Sequence, residues 1–153
     1  MSDQLPIGAH LVSPRRGYTH HGIYAGGGRV IHYAGFSQGW RRGPVEEVPL
    51  ERFSCGHPVA VEQDAGPCFP GPVRVDRARR RLGEDRYSLW TNNCEHFCAW
   101  CLHGTSHSAQ VEALRALLRY AVVVLGRLGR ARRPDGASQR RRICATWGPR
   151  AHQ

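Results

Sequence analysis

Residues 20–35 read HHGIYAGGGRVIHYAG, which is two β-prone runs joined by a glycine triplet. Isoleucine, valine and tyrosine favour extended backbone, and glycine reaches the positive φ that tight hairpin turns require. The pattern therefore predicts two paired antiparallel strands, over residues 20–25 and 29–34. Both strands carry histidine, at positions 20, 21 and 32.

The position of the turn decides which histidine of the first strand faces His32. A turn centred on Gly26 places His20 directly across from His32, with both side chains on one face of the sheet. A centre between Gly26 and Gly27 pairs His21 with His32 instead. Because neighbouring side chains of a strand point to opposite faces, only one of the two histidines can share a face with His32. Strand geometry alone leaves the choice open.

Further β-prone runs lie on either side of this hairpin, separated by turns that contain glycine or proline. They read HLVSP at residues 10–14, VEEVPL at 45–50 and PVAVE at 58–62. Strands this short and this closely spaced are typical of an antiparallel sheet.

Three later segments carry the start and stop signals of helices. Asn93 is a good N-cap residue, so we expect a helix from Cys94 to a stop at Gly104. The other two helices are expected over residues 73–82 and from Ser108 to about residue 126. The predicted fold class is α+β: a small antiparallel sheet packed with a helix that begins at Cys94, plus a C-terminal helix.

The charge is unevenly distributed along the 153 residues. Residues 1–110 hold 12 arginines against 10 acidic residues, whereas residues 111–153 hold 10 arginines against two. We expect one core domain over residues 5–110, an amphipathic helix over 111–130 and a disordered Arg-rich tail over 131–153. The N-terminus carries neither a basic segment nor a long apolar stretch, so the expected location is the cytoplasm, where cysteines stay reduced.

Cys94 is expected in the first turn of its helix. The positive end of the helix dipole and the free backbone N–H groups there favour a thiolate, which is the nucleophilic form. The alternative is a small buried hydrophobic residue, the usual fate of an intracellular cysteine. The facing histidines favour the nucleophile, because a thiol nucleophile needs a base and a third group that orients the base.

Two blocks of sequence together resemble the lecithin:retinol acyltransferase family. They are HHGIY followed by VIH, at residues 20–24 and 30–32, and then Asn93-Cys94-Glu95-His96-Phe97. The resemblance covers residues 5–110 and implies a fold similar to circularly permuted papain-like thiol enzymes of the NlpC/P60 type. It also implies the roles of nucleophile for Cys94, general base for His20 and orienting third residue for His32.

The resemblance further implies acyl transfer or hydrolysis through an acyl-cysteine thioester, with phospholipids as donors in the animal members and no cofactor. The backbone N–H of Cys94 is the expected oxyanion donor, because a tetrahedral oxyanion needs preorganised N–H groups. Candidates for lining the site are His21, Tyr24, Asn93 and His96. The expected partners are an acyl-bearing lipid or another ester or amide.

Two other functions compete with this one, and a third interpretation concerns the role of the C-terminal region. Cys94, Cys98 and Cys101 fall on one helical face near His96 and His103, which suggests zinc, but no second C-x-x-C pair completes a site, so we expect no metal. The Arg-rich tail could bind nucleic acid, but the nearly neutral core has no recognisable binding motif, so no specific nucleic acid is expected. Residues 114–128 are too short and too charged to span a bilayer, and either pack on the domain or lie on an anionic membrane surface.

Overall fold

A computed structural model describes residues 5–36 and 42–131 and has an α+β fold around one five-stranded antiparallel sheet. The strand order is β4-β3-β2-β1-β5, so the hairpin of β2 and β3 lies inside the sheet. The strands are β1 His10–Arg15, β2 Tyr18–Gly26, β3 Arg29–Gly35, β4 Gly43–Pro49 and β5 Ala60–Val61. The helices are α1 Leu50–Ser54, α2 Gly71–Arg79, α3 Cys94–His103 and α4 Ala109–Ala131. The predicted fold class is confirmed.

The hairpin turn differs from both predicted registers. Gly27 and Gly28 form the two-residue turn, with φ values of 56° and 69°, after the Gly26–Arg29 pair. A bulge between Tyr24 and Gly26 then shifts the pairing. As a result Gly22, and neither His20 nor His21, lies directly across from His32.

Each face of the sheet is covered by a separate apolar cluster. Helices α2 and α3 pack on one face, against Ile23, Ile31 and Tyr33. Helix α1 covers the other face, where Phe53 contacts the cluster of Leu11, Tyr24, Val30 and Val48. Because side chains alternate along a strand, consecutive residues of β2 belong to different clusters.

The chain divides into two compact units, residues 1–115 and 116–153. The first unit contains the sheet, α1 to α3 and the first two turns of α4. The described part of the second unit is the remainder of α4, and the predicted tail lies, apart from residue 131, outside the described residues. Within the described ranges no helix combines the length and the apolarity that crossing a bilayer requires.

Candidate active site

Helix α3 begins at Cys94 because the preceding residue caps it. The Asn93 side chain accepts a hydrogen bond from the backbone N–H of His96 at 3.0 Å, and His96 Nδ1 lies 3.4 Å from the backbone N of Asn93. This reciprocal capping box satisfies free N–H groups of the first turn. Gly104, in the left-handed region, ends the helix as predicted.

The Cys94 thiol is buried against the backbone of β2. Its Sγ lies 4.0 Å from the carbonyl oxygen of Thr19, and the backbone N–H of His21 donates toward the sulfur. These two peptide groups flank His20. The pairing of β2 with β3 ends at Gly22 and His32. The backbone of β2 before Gly22 therefore has no partner on β3 and can contact the thiol.

Burial controls the ionisation of this thiol. It raises the pKa of Cys94 to about 11, although the N–H groups of His21, Glu95 and Cys94 itself act in the opposite direction. The helix start was expected to favour a thiolate, but the desolvation penalty of a buried thiolate is larger than the stabilisation that the helix N-terminus provides. At neutral pH Cys94 is a thiol.

His20 and His32 form a hydrogen-bonded pair on the other face of the sheet. His20 Nε2 lies 2.8 Å from His32 Nδ1, and both rings contact Phe53. The two side chains share a face of the sheet, but as diagonal neighbours rather than as the directly opposed pair that a turn centred on Gly26 would give. Gly22 leaves room for this arrangement, since a Cβ there would meet the Phe53 ring at 2.8 Å.

Glu46 extends this pair, although sequence reasoning did not single it out. It lies opposite His32 in the β3–β4 register, and its Oε1 is 3.3 Å from His32 Nε2. The contact is an ion pair by distance, but it is not aligned as a hydrogen bond. Burial, followed by the neighbouring His32, lowers the pKa of His20 to about 2, so His20 is neutral at physiological pH.

A cavity of about 470 Å³ is lined by residues of β2, β3 and the start of α3. Both Cys94 and His20 line it, so it brings together the two predicted reactive groups. This volume is within the usual range for a small-molecule site. Much of the remaining wall is aromatic or aliphatic, and includes Tyr33, Phe36, Tyr87, Leu89, Trp90 and Leu114.

A second buried network lies on the Cys94 face. His10 Nδ1 is 2.9 Å from Asp64 Oδ2, and His10 Nε2 is 2.9 Å from His21 Nδ1. Gln110 Nε2 donates to His21 Nε2 at 3.0 Å and to Glu95 Oε2 at 2.9 Å. The network connects β1 and β2 to the starts of α3 and α4.

The carboxylate of Asp64 sets the direction of the hydrogen bonds made by the two histidines of this network. It can only accept, so His10 carries its proton on Nδ1 and accepts at Nε2 from His21 Nδ1. His21 Nε2 is then an acceptor for the Gln110 amide. Burial, followed by the adjacent His10, lowers the pKa of His21 to about 4, so the His21 ring is uncharged at neutral pH. The pattern of local strands gave no signal for Gln110 or Asp64, which are distant in sequence.

The sequence profile described as lecithin retinol acyltransferase matches residues 3–107, well over half of the chain. The chain belongs to this family. Bovine lecithin retinol acyltransferase is 28% identical over 129 residues, covering 67% of this chain and 56% of that protein. Human phospholipase A and acyltransferase 2 is 31% identical over 121 residues, covering 69% of this chain and 75% of that protein. Human phospholipase A and acyltransferase 4 is 31% identical over 115 residues, covering 64% and 70%.

In this member of the lecithin retinol acyltransferase family, the predicted lining residues have different positions. Asn93 lines the cavity, whereas His96 is held in the capping box. His21 lies on the Cys94 face, in the second network. Tyr24 packs with the cluster around Phe53, and its hydroxyl accepts a hydrogen bond from the backbone N–H of Gly28.

The other cysteines of α3 belong to the core of this family member. Cys98 and Cys101 are fully buried, and burial raises the pKa of both thiols, that of Cys101 to about 12. Among the described residues, no three histidine, cysteine or acidic side chains are grouped so that they could hold a metal ion.

Proposed function

We propose that this chain is a thiol-dependent acyltransferase or hydrolase that forms an acyl thioester on Cys94, with a phospholipid-like ester or amide as donor. The observation that carries the proposal is the shared cavity: one apolar pocket is lined by both the buried Cys94 thiol and the His20 imidazole. The family relatives named for phospholipase and acyltransferase activity support the same class of reaction. Residues 5–110 are the proposed catalytic region.

The hydrogen bond between His20 and His32, together with the nearby Glu46 carboxylate, favours one proton position on each ring. The Glu46 carboxylate favours a proton on His32 Nε2, which leaves His32 Nδ1 as an acceptor. His20 then donates from Nε2 to His32, so the lone pair of His20 is on Nδ1. In this proposal Nδ1 takes the thiol proton, while His32 orients the ring.

Attack and proton transfer are concerted in this scheme. Because burial keeps Cys94 as a thiol and His20 neutral, a resting thiolate–imidazolium pair is not populated. As the sulfur bonds to the substrate carbonyl, its proton moves to His20, and the oxyanion meets the backbone N–H of Cys94. Collapse releases the alcohol or amine, which takes the proton from His20. Water, an alcohol or an amine then removes the acyl group from Cys94.

The C-terminal region is the proposed contact with an anionic membrane surface. The part of α4 in the second unit carries leucine and valine together with Arg119 and Arg127, and the tail beyond residue 131 adds six arginines. Such a basic, partly apolar segment binds anionic lipid by combined burial and charge. The proposed location is therefore cytoplasmic with peripheral membrane association.

Intact-mass measurement after incubation with short- and long-chain phospholipids tests the proposed function. We expect one acyl adduct per chain on Cys94, and none on Cys98 or Cys101, because only Cys94 combines the cavity with the histidine pair. Cys94→Ser should form no stable thioester, and Cys98→Ser is the matched control on the same helix. An adduct that persists in Cys94→Ser and disappears in Cys98→Ser would refute the assignment.

A further inference from the structure

Arg16 is located at the tip of the hairpin between β1 and β2, on the wall of the cavity that contains Cys94. The pair of Arg15 and Tyr18 closes a two-residue turn, and Gly17 supplies the positive φ of 89°. A turn this tight fixes where the Arg16 side chain begins. It also attaches Arg16 to β2, the strand whose backbone contacts the Cys94 sulfur.

The two arginines of this turn differ in what they contact. Arg15 donates hydrogen bonds to Ser13 Oγ and to the carbonyl oxygens of Pro14 and Phe53, which ties it to the protein. Arg16 is exposed and makes no hydrogen bond or ion pair with any residue in the described ranges. No residue in the described ranges therefore competes with a ligand for its guanidinium.

The charge of Arg16 differs from the character of the other residues that line the cavity. Among the described lining residues, Arg16 is the only one with a permanent charge, since His20 is neutral. The lining also includes Leu89 and Trp90, which are apolar and about half exposed. An apolar cavity with one cation at its wall fits a ligand that joins an acyl chain to an anionic group.

We propose that Arg16 binds the phosphate of the acyl donor and so selects phosphate-bearing esters over neutral ones, an inference that rests on the proposed function. Guanidinium groups bind phosphate through paired N–H donors, which adds geometric specificity to the charge attraction. In a glycerophospholipid the phosphate is only a few bonds from the ester carbonyls. An ester placed at Cys94 therefore keeps its phosphate close to the cavity wall. Arg16 takes no part in bond making, and determines specificity by binding alone.

The experiment compares two monomeric substrates with the same acyl chain: a short-chain phosphatidylcholine and a p-nitrophenyl ester, which has no phosphate. We expect Arg16→Ala to lower kcat/KM about tenfold for the phospholipid, mainly through KM, and to leave the p-nitrophenyl ester unchanged. Arg16→Glu should lose more and Arg16→Lys less, because a lysine keeps the charge without the paired donors. Arg80→Ala is the matched control, since Arg80 is exposed but does not line the cavity.

The possible outcomes separate the two proposals. Equal losses on both substrates, or no loss on either, would overturn the role of Arg16 while the proposed function stands. A wild-type protein that forms no adduct with either ester would overturn the proposed function itself. A further measurement is inhibition by inorganic phosphate. If Arg16→Ala changes only this inhibition and not phospholipid turnover, the site binds phosphate without selecting the donor. The proposal would then be wrong.

Discussion

At the scale of single residues, the arrangement around Cys94 separates the two candidate histidines by what each contributes. The His20 side chain lines the cavity and is bonded to His32, whereas His21 offers its backbone N–H to the sulfur and directs its side chain into the second network. Side-chain truncation therefore tests different contacts at the two neighbouring positions.

His20→Ala should lower the rate of Cys94 acylation by about 10²–10⁴, because the general base is lost. His32→Gln should be milder, since an amide oxygen can still accept from His20 Nε2. His21→Ala should keep most of the rate because the backbone N–H to the sulfur remains. It should instead destabilise the fold by about 1–3 kcal/mol, because buried groups of His10 and Gln110 lose a partner. Single-turnover acylation and urea unfolding measure the two effects, and an inactive but stable His21→Ala would reverse the assignment.

Glu46 is expected to position the His20 pair through His32. Glu46→Gln should lower the acylation rate roughly tenfold and leave the free energy of unfolding nearly unchanged, because the neutral amide holds the proton on His32 Nε2 less strongly than the carboxylate does. Glu47→Gln is the matched control on the next position of β4, since Glu47 pairs with Arg29 and Arg79 instead. A merely structural role would lower stability together with the rate, so a rate that is unchanged, or that falls only with the folded fraction, would count against the positioning role.

At the scale of elements, the start of α2 is held against the segment that leads into β1. A Cβ on Gly8 would lie 2.3 Å from the carbonyl oxygen of Gly71, and Arg74 donates to the carbonyl oxygen of Gly8 at 3.1 Å. The approach of two backbones needs glycine at this point for reasons of space, in addition to the positive φ of 76°. This contact helps to place α2 on the face of the sheet that holds Cys94.

Gly8→Ala should therefore destabilise the protein more than Gly17→Ala does. Gly17 also has a positive φ, 89°, but a Cβ there would meet nothing within 4 Å. Gly17→Ala should cost about 1–2 kcal/mol from the left-handed backbone alone, and Gly8→Ala should add the cost of a backbone clash. Chemical unfolding of both variants gives the comparison. Equal losses would mean that the close approach to Gly71 is unimportant.

At the scale of the whole molecule, the sheet separates two buried histidine systems, and both affect stability as a function of pH. Burial is the largest cause that lowers the pKa of His20 to about 2 and that of His21 to about 4, from an ordinary value of 6.5. His20 faces His32 and Arg15, and His21 faces His10, Glu95 and Asp64. In the window from pH 6.5 down to about 4.5 the unfolded chain binds protons on these rings while the folded protein does not.

The free energy of unfolding should consequently be highest above pH 6.5 and fall as the pH is lowered. Each of the two histidines contributes a slope approaching about 1.4 kcal/mol per pH unit. The hydrogen bond to Arg81 is the chief cause that lowers the pKa of Glu84 to about 2, so Glu84 reduces the free energy of unfolding only below about pH 4.5. Urea unfolding at pH 7, 6 and 5 tests this, and His20→Gln should flatten the slope. A free energy that is constant or rises between pH 7 and 5 would contradict the buried, neutral histidines.

Sequence by itself determined the features that depend on neighbouring residues. The glycine triplet predicted the hairpin, Asn93 predicted the start of α3 at Cys94, and Gly104 predicted its end, because turns and caps are set by local backbone preferences. The two sequence blocks that contain His20, His32 and Cys94 were sufficient to predict the family, and the profile match confirms that prediction.

Only the tertiary structure decided how these pieces meet. The bulge between Tyr24 and Gly26 set Gly22 opposite His32, and the end of the β2–β3 ladder let Cys94 reach the backbone beside His20. Glu46 reached His32 from a third strand. Burial reversed the expected ionisation of Cys94. Desolvation depends on all the groups packed around the thiol, and these groups cannot be identified from a local stretch of sequence.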